Sequence, residues 1–282
     1  MIADQKDFIT PHITDAHTLD YPCFHPGFVC EYELPRWNPI HIGSYALDIS
    51  PTRHVVMIWI AALLCLVTTV LALRAHNRRT REGRAPSRSA NGLEAVVLYL
   101  RNEVVLPNVG PHGNAYVPFL LTLFFFILFA NLLGLVPYGA TATGNISVTA
   151  TLAIVTFIVI ELAGIKAQGK AYFRTIVFWP HDMSLPLKLF ITPILTPIEI
   201  VGKITKPFAL AIRLFANMVS GHVVLLALIS LIFTFASWYL VPVPIAMALG
   251  ISLLELFVAL LQAFVFTLLS SVFIGLIREG AH

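Results

Sequence analysis

The feature that most limits the fold is a series of long apolar stretches that carry no charged side chain. No Asp, Glu, Lys or Arg occurs from Val104 to Ile160, and none occurs from 55 to 73. Lipid offers no hydrogen-bond partners, so a segment that crosses the membrane must satisfy its backbone polar groups internally, as a helix does. A run of about 20 apolar residues therefore predicts a transmembrane helix. Only 12% of the residues are charged, about half the usual share of a soluble domain. This composition excludes a disordered chain and argues against an ordinary cytosolic enzyme.

The apolar stretches predict an all-α integral membrane protein with about five hydrophobic helices. Their expected positions are 55–73, 116–136, 146–165, 192–236 and 245–277. The last one alone would be about 50 Å long, against a hydrocarbon core of about 30 Å. We therefore expect the last two helices to form a long, strongly tilted hairpin around a turn at Trp238–Pro244.

The remaining segments complete the predicted organisation. Apolar residues recur at helical spacing near 91–106, which predicts an amphipathic helix on the membrane interface. Residues 1–50 are expected to form an external segment, and residues 51–282 a single membrane domain. We find no internal repeat in the sequence.

The distribution of charge predicts the orientation of the chain. Basic residues follow the first, third and last predicted spans: Arg74, Arg78, Arg79, Arg81, Arg84, Arg88, Lys166, Lys170, Arg174 and Arg278. Positive charge accumulates in cytoplasmic loops. The first 50 residues are acidic instead, and the loops at 137–145 and 238–244 are uncharged. We therefore expect the N-terminus outside and the C-terminus in the cytoplasm.

The three cysteines give a weaker signal. Cys65 lies inside a predicted span and is most simply a packing residue, whereas Cys23 and Cys30 lie in the external segment. An oxidising compartment would permit a disulfide between these two, and the sequence leaves that pairing open. A metal site that adds His25 fits no familiar ligand spacing.

Ionisable side chains inside the last two predicted helices are the main candidates for function. Such a group costs about 2.5–3.5 kcal/mol in a span even on a lenient insertion scale. One stripe of the fourth helix, about 80° wide at 100° per residue, carries five of the candidates: Glu199, Lys203, Lys206, Arg213 and Asn217. A solvated stripe with snorkelling side chains is an equal alternative for the two lysines. It does not suit Arg213, because no further charged residue occurs before Glu255.

The hairpin predicts which residues of the last two helices face each other. In an antiparallel pair, facing residues have a nearly constant index sum. The residue numbers of Arg213 and Gln262 add up to almost the same value as those of His222 and Glu255. Half of that value is a residue number within the predicted turn. A His and a Glu paired within a membrane, with a permanently charged arginine beyond them, suggest a proton path that ends at an electrostatic barrier. A simple hydrogen-bonded helix contact is the structural alternative.

These residues carry a recognisable pattern. The segment Ala211-Ile-Arg-Leu-Phe-Ala-Asn-Met-Val-Ser-Gly-His222 closely resembles the most distinctive motif of subunit a of F-type rotary ATP synthases. Leu261-Gln-Ala-Phe-Val-Phe266 resembles the family's motif in its final helix. Pro197-Ile-Glu199 and Ala130-Asn-Leu-Leu-Gly-Leu-Val-Pro137 match as well, and the resemblance extends from about Asn38 onward.

The resemblance implies a stator channel that exchanges protons with a ring of c subunits through two offset half-channels. His222, Glu255, Asn217 and Gln262 would line the outer half-channel, Glu199 would lie at the cytoplasmic end of the inner one, and Arg213 would separate the two. Asn131, Lys203 and Ser220 are secondary candidates. The implied partners are the c-ring, the b subunits of the peripheral stalk and membrane lipids, without nucleic acid. The resemblance implies a non-catalytic subunit in a bacterial inner membrane, with no cofactor and no metal.

Two departures from the family pattern are visible. Many bacterial members have an acid in the place of His222 and a histidine in the place of Glu255, so the pair is exchanged here. An acid that is common near Gly134 is absent, which puts an outer-channel role for the second span in doubt.

Other functions stay open at this point. Sodium coupling is possible in the same subunit, because the c subunit would largely set the ion. An unrelated secondary transporter would show internal symmetry and matching broken helices, and a membrane hydrolase would need a metal cluster or an activated nucleophile. We see none of these signals in the sequence.

Overall fold

A computed structural model describes residues 15–22, 29–42, 45–48, 50–81, 88–136, 139–172, 185–235, 239 and 241–279. Within these ranges the helices of four or more residues are α1 (Arg53–Arg81), α2 (Arg88–Tyr99), α3 (Leu106–Val109), α4 (Val117–Leu135), α5 (Ile146–Gln168), α6 (Leu185–Phe235) and α7 (Pro242–Glu279). A π-helical segment, Leu100–Val105, and a short 3₁₀ helix, Gly169–Tyr172, accompany them.

Five of these helices are long and apolar enough to cross a membrane: α1, α4, α5, α6 and α7. This confirms the predicted all-α membrane fold. The helix bounds differ from the predicted spans mainly for α1, which continues through the arginines after the apolar run, and for α6, which begins seven residues earlier. Helices extend past the hydrocarbon layer wherever the flanking residues favour helix, so hydropathy alone does not fix their ends.

The last two helices have the predicted hairpin order. Helix α6 contains 51 residues and α7 contains 38, which at 1.5 Å per residue correspond to about 76 Å and 57 Å. Three prolines, Pro193, Pro197 and Pro207, lie inside α6. The predicted turn at 238–244 overlaps the interval between the helices, 236–241, but its last three residues form the start of α7. Residues 236–238 and 240 lie outside the described residues. Helix α7 begins on Pro242, whose ring suits the first helical position because no amide hydrogen is needed there.

The helix predicted near 91–106 is present and spans Arg88 to Val109. Its position on the membrane interface stays a prediction, after which residues 88–109 are called the interfacial element. Its π-helical segment buries Leu100, Val104 and Val105, because the wider turn moves these residues onto one face. The end of α7 packs on this element: a β-carbon on Gly275 would lie 1.9 Å from the carbonyl oxygen of Asn108. Only glycine permits that approach.

Arg278 also fastens the end of α7 to the interfacial element. Its guanidinium donates hydrogen bonds to the carbonyl oxygens of Val109 (2.7 Å) and Pro111 (2.6 Å). The same group lies 5.5 Å from the centre of the Tyr116 ring.

The described part of residues 1–50, the predicted external segment, contains two small antiparallel sheets that sequence analysis did not predict. Strand β1 (Thr18–Pro22) pairs with β2 (Val29–Glu33), and β3 (Ile40–Ile42) pairs with β4 (Tyr45–Leu47). Each strand is only three to five residues long, too short for an alternating pattern to stand out from the polar sequence around it.

The start of α1 anchors the first sheet. The Arg53 amide donates to the Ala16 carbonyl oxygen at 2.9 Å, and the Arg53 guanidinium donates to the Thr18 carbonyl oxygen at 3.3 Å. His54 Nδ1 lies 2.7 Å from Asp15 Oδ1. Arg53 and His54 are both buried by these contacts.

Cys30 lies on β2 and is disulfide-bonded, whereas Cys65 on α1 is a free thiol. Cys23 lies outside the described residues, so its pairing with Cys30 stays a prediction.

The chain divides into two compact units. The first consists of Met1–Val70, Phe125–Val148 and Leu214–Gln262, and the second of Leu71–Phe124, Thr149–Arg213 and Ala263–His282. The candidate site residues are described below within the unit to which each belongs.

Candidate functional site

His222 on α6 and Glu255 on α7 lie together in the first unit. His222 Nδ1 is 3.9 Å from Glu255 Oε1, and the side chains are 24% and 8% exposed. The separation is within ion-pair range but longer than a hydrogen bond. The index-sum prediction is thus confirmed for this pair.

Gly221 makes the approach of Glu255 possible. A β-carbon at this position would lie 2.1 Å from Glu255 Oε1, so any larger residue would displace the carboxylate. The glycine directly before His222 therefore has a steric role that the motif resemblance did not explain.

The imidazole of His222 has a second polar neighbour on the loop after the second span. Thr141 Oγ1 lies 3.3 Å from His222 Nε2. The same hydroxyl would be 2.1 Å from a β-carbon on Gly134. Thr141 therefore occupies the space beside Gly134 in which the resemblance leads one to expect an acid, and sequence analysis did not single it out.

Asn217 and Gln262 form the next contact between α6 and α7. Asn217 Nδ2 donates to Gln262 Oε1 at 3.0 Å, and Gln262 is 1% exposed. Sequence analysis aligned Gln262 with Arg213, whereas the contact involves Asn217, one helical turn further along α6. The sum of residue numbers predicts which turns of α6 and α7 lie at the same level. The rotation of each helix about its own axis then decides which side chain of that turn contacts the other helix.

Asn131 on α4 lies in a fully buried polar contact. Its Oδ1 accepts a hydrogen bond from Thr143 at 2.7 Å, and its Nδ2 donates to the Ala259 carbonyl oxygen at 3.3 Å. Asn131 and Thr143 are 0% exposed. Asn131 thus connects the loop, α4 and α7 within the first unit, which suits a structural role.

The second unit holds the lysines and Glu199. Lys203 Nζ lies 4.8 Å from the centre of the Tyr172 ring, and Lys206 Nζ lies 5.4 Å from the centre of the Phe273 ring. Both distances allow a cation–π interaction. Glu199 is half-buried, one helical turn before Lys203.

Arg213 is exposed, and its neighbours Phe208 and Ile212 are exposed as well, at 61% and 41%. Within the described part of the chain, the guanidinium has no ion pair or hydrogen bond. Ser220, the last secondary candidate, is also exposed and donates a hydrogen bond to the Asn217 carbonyl oxygen at 3.1 Å. The side of α6 that carries Arg213 is therefore open rather than packed inside the chain.

Glu161 is a further ionisable residue that sequence analysis missed. It lies within α5 and is half-buried, and its charge interacts with that of Lys203. The sequence could have identified it, because Glu161 is the single charged residue within the third predicted span. Its partner is more than 40 residues away in the sequence, so no local pattern connects the two.

Together the fold and these side chains define a class: an all-α, multi-span membrane protein that carries ionisable groups inside its spans. Comparison with known proteins identifies the family within this class. The family model described as ATP synthase A chain matches residues 55–275. The chain belongs to this family, subunit a of the membrane sector of F-type ATP synthases.

Individual relatives cover nearly the whole chain. The chain is 46% identical over 265 residues to ATP synthase subunit a of Chloroherpeton thalassium, covering 94% of this chain and 74% of the relative. It is 47% identical over 278 residues to ATP synthase subunit a 2 of Chlorobaculum tepidum, covering 97% and 74%. ATP synthase subunit a of Anaeromyxobacter dehalogenans is 43% identical over 276 residues, covering 95% and 69%.

Proposed function

We propose that this subunit conducts protons between two offset half-channels and the carboxylates of a c-ring, and that Arg213 separates the two routes. The observation that carries the proposal is the open position of Arg213 among exposed apolar side chains. A guanidinium keeps its charge under all practical conditions. In lipid this charge requires an anionic partner, and a carboxylate on a neighbouring subunit would supply it.

The outer half-channel is built from the polar contacts of the first unit. Glu255, His222, Asn217 and Gln262 are arranged in two successive contacts between α6 and α7, of 3.9 Å and 3.0 Å. Histidine suits a proton relay because its unperturbed pKa is near neutrality. The 3.9 Å separation calls for a bridging water or a small ring rotation during transfer.

The inner half-channel begins at Glu199 on the cytoplasmic side. The carboxylate lies on the same stripe of α6 as Arg213, fourteen residues earlier, or about 21 Å along the helix. A proton that leaves the c-ring there would reach the cytoplasm without passing the arginine. The N-terminus would lie outside, in agreement with the basic residues after α1 and α5.

The chain then acts as a non-catalytic part of the complex. ATP chemistry is absent from this role, since the subunit only loads and unloads protons. The c-ring would contact the open side of α6, and the b subunits of the peripheral stalk would hold the subunit still. The membrane is the bacterial inner membrane.

Replacement of Arg213 tests the proposal. Arg213→Ala should abolish ATP-driven proton pumping in inside-out vesicles while leaving the amount of assembled complex unchanged. Arg213→Lys should also fail, because an ammonium is a compact charge that can lose its proton near lipid. Arg74→Ala, outside the apolar part of α1, is the matched control and should pump normally.

Two outcomes would contradict the proposal. Normal pumping by either Arg213 variant would show that the guanidinium does not separate the routes. Pumping of the unaltered complex that requires added sodium would replace the proton by sodium as the coupling ion.

A further inference from the structure

Glu161 is a carboxylate inside α5 for which the proposed proton route has no use. It is half-buried, and its neighbour Ile160 together with Ala163 and Gly164 is buried. A carboxylate in this position is costly in a membrane unless it has a charged partner or a function.

The ring of Tyr172 packs against α5 at Gly164, three residues after Glu161. A β-carbon on Gly164 would be 2.8 Å from Cε2 of Tyr172, so the ring lies in direct contact with this glycine. Tyr172 is 2% exposed. Gly164 lies one helical turn after Glu161, so the aromatic ring occupies the level of α5 next to the carboxylate.

Lys203 connects this level of α5 with α6. Its ammonium lies over the Tyr172 ring at 4.8 Å, and its charge interacts with the Glu161 carboxylate. Glu199 precedes Lys203 by four residues on α6, which is the favourable order for an acid and a lysine on one helix face. Lys203 therefore lies over the ring that contacts α5 at Gly164, its charge acts on Glu161, and Glu199 lies one helical turn before it on α6.

We propose that Glu161 is a second proton-exchanging carboxylate of the inner half-channel, and that Lys203 couples it to Glu199. This inference rests on the proposed function. Two carboxylates and one ammonium carry a net charge of −1, so the group takes up one proton to become neutral. The proton passes from a carboxylic acid of the c-ring to a carboxylate oxygen here and then to water, and no other bond changes.

Other charged groups lie on the same elements of the second unit. Among the described side chains these are Lys166 on α5, Lys206 and Arg213 on α6, and Arg278 and Glu279 on α7. Lys206 and Arg278 already have aromatic or carbonyl partners. Lys203 is the group whose charge acts on Glu161.

The test compares three variants in the assembled complex. Glu161→Gln should reduce ATP-driven pumping in inside-out vesicles about tenfold, because one of two exchanging groups is lost. Glu161→Asp keeps the carboxylate and should pump within about twofold of the unaltered complex and retain its dependence on the pH of the medium. Glu103→Gln, an exposed acid on the interfacial element, is the matched control and should change nothing.

A double variant separates proton exchange from charge neutralisation. If Glu161 only neutralised Lys203, then Glu161→Gln with Lys203→Gln would remove both charges and restore pumping. We expect the double variant to remain as slow as Glu161→Gln, although its assembly should be normal. Recovery in the double variant, or a normal rate for Glu161→Gln, would overturn the inference.

The outcome is independent of the test of Arg213. If Arg213→Ala abolishes pumping while Glu161→Gln pumps normally, only the assignment of Glu161 fails. If Arg213→Ala pumps normally, the proposed function itself fails. Where Glu161→Gln does not assemble, the double variant and Glu161→Asp decide, since a pumping double variant at full rate contradicts a role in proton exchange.

Discussion

The exchanged pair His222 and Glu255 gives the sharpest test of the proposed outer half-channel. His222→Glu would place two carboxylates at a separation near 3.9 Å. Two unit charges about 4 Å apart interact by about 4 kcal/mol at an effective dielectric constant of about 20. That repulsion disfavours the doubly ionised pair by roughly a thousandfold. Glu255→His creates the corresponding problem for two imidazolium groups.

The double exchange should reverse most of this loss. His222→Glu together with Glu255→His again provides one acid and one imidazole, in the arrangement that resembles many bacterial relatives. Directly contacting residues show coupling energies of about 0.5–3 kcal/mol. We therefore expect each single variant to pump at least about tenfold more slowly, and the double variant to recover most of the rate.

Proton pumping into inside-out vesicles is the measurement, with ATP hydrolysis and the amount of assembled subunit followed in parallel. Combining His222→Glu with Glu103→His is the control, because Glu103 is exposed on the interfacial element and belongs to the other unit. This control should show no recovery. Losses that simply add in the double exchange would refute the interaction and the facing arrangement of α6 and α7 that predicts it.

Two further predictions concern the surroundings of the pair and the external segment. Gly221→Ala would bring a β-carbon to 2.1 Å from Glu255 Oε1, so the carboxylate must move by about 1 Å or more to reach ordinary contact. Proton pumping should therefore fall while the complex still assembles. An unchanged pumping rate would contradict this steric role of Gly221. Burial raises the pKa of Asp15, but the hydrogen bond and charge of His54 outweigh it and hold the pKa below the usual 3.8. The packing of the predicted external segment on α1 should therefore be complete above the usual pKa of 3.8 and weaken as the pH falls through the lowered pKa of Asp15. Hydrogen exchange of β1 at acidic pH should show this weakening, and Asp15→Asn should remove it.

Sequence reasoning predicted those parts of the protein that hydrophobicity and helix geometry determine. The five spans follow from apolar length, and the contact between His222 and Glu255 follows from an antiparallel pair with a turn of known position. Both are properties of regular helices, so arithmetic on residue numbers is sufficient. The roles of these residues, and of Arg213 and Glu199, remain proposals.

The features that the sequence did not predict depend on contacts between segments that are distant in the chain. Thr141 reaches His222 from a loop, and its distance in sequence is 81 residues. Gly221 is conspicuous only when the carboxylate that lies against it is known. The partner of Gln262 depends on how far each helix is rotated, which residue spacing alone does not specify. Glu161 stayed hidden because a single acid near the end of a span resembles an ordinary boundary residue.

The three prolines inside α6 determine which backbone carbonyl oxygens of this helix are available to water. A proline has no amide hydrogen for the carbonyl four residues earlier, which concerns the carbonyl oxygens of Leu189, Pro193 and Lys203. Every such position precedes Arg213, and the helix after it contains no proline before Phe235. The first half of α6 therefore offers backbone acceptors that water can hydrate, whereas the second half keeps its complete ladder. The number of backbone acceptors that water can hydrate thus changes along one helix, and the change occurs before Arg213 in the chain.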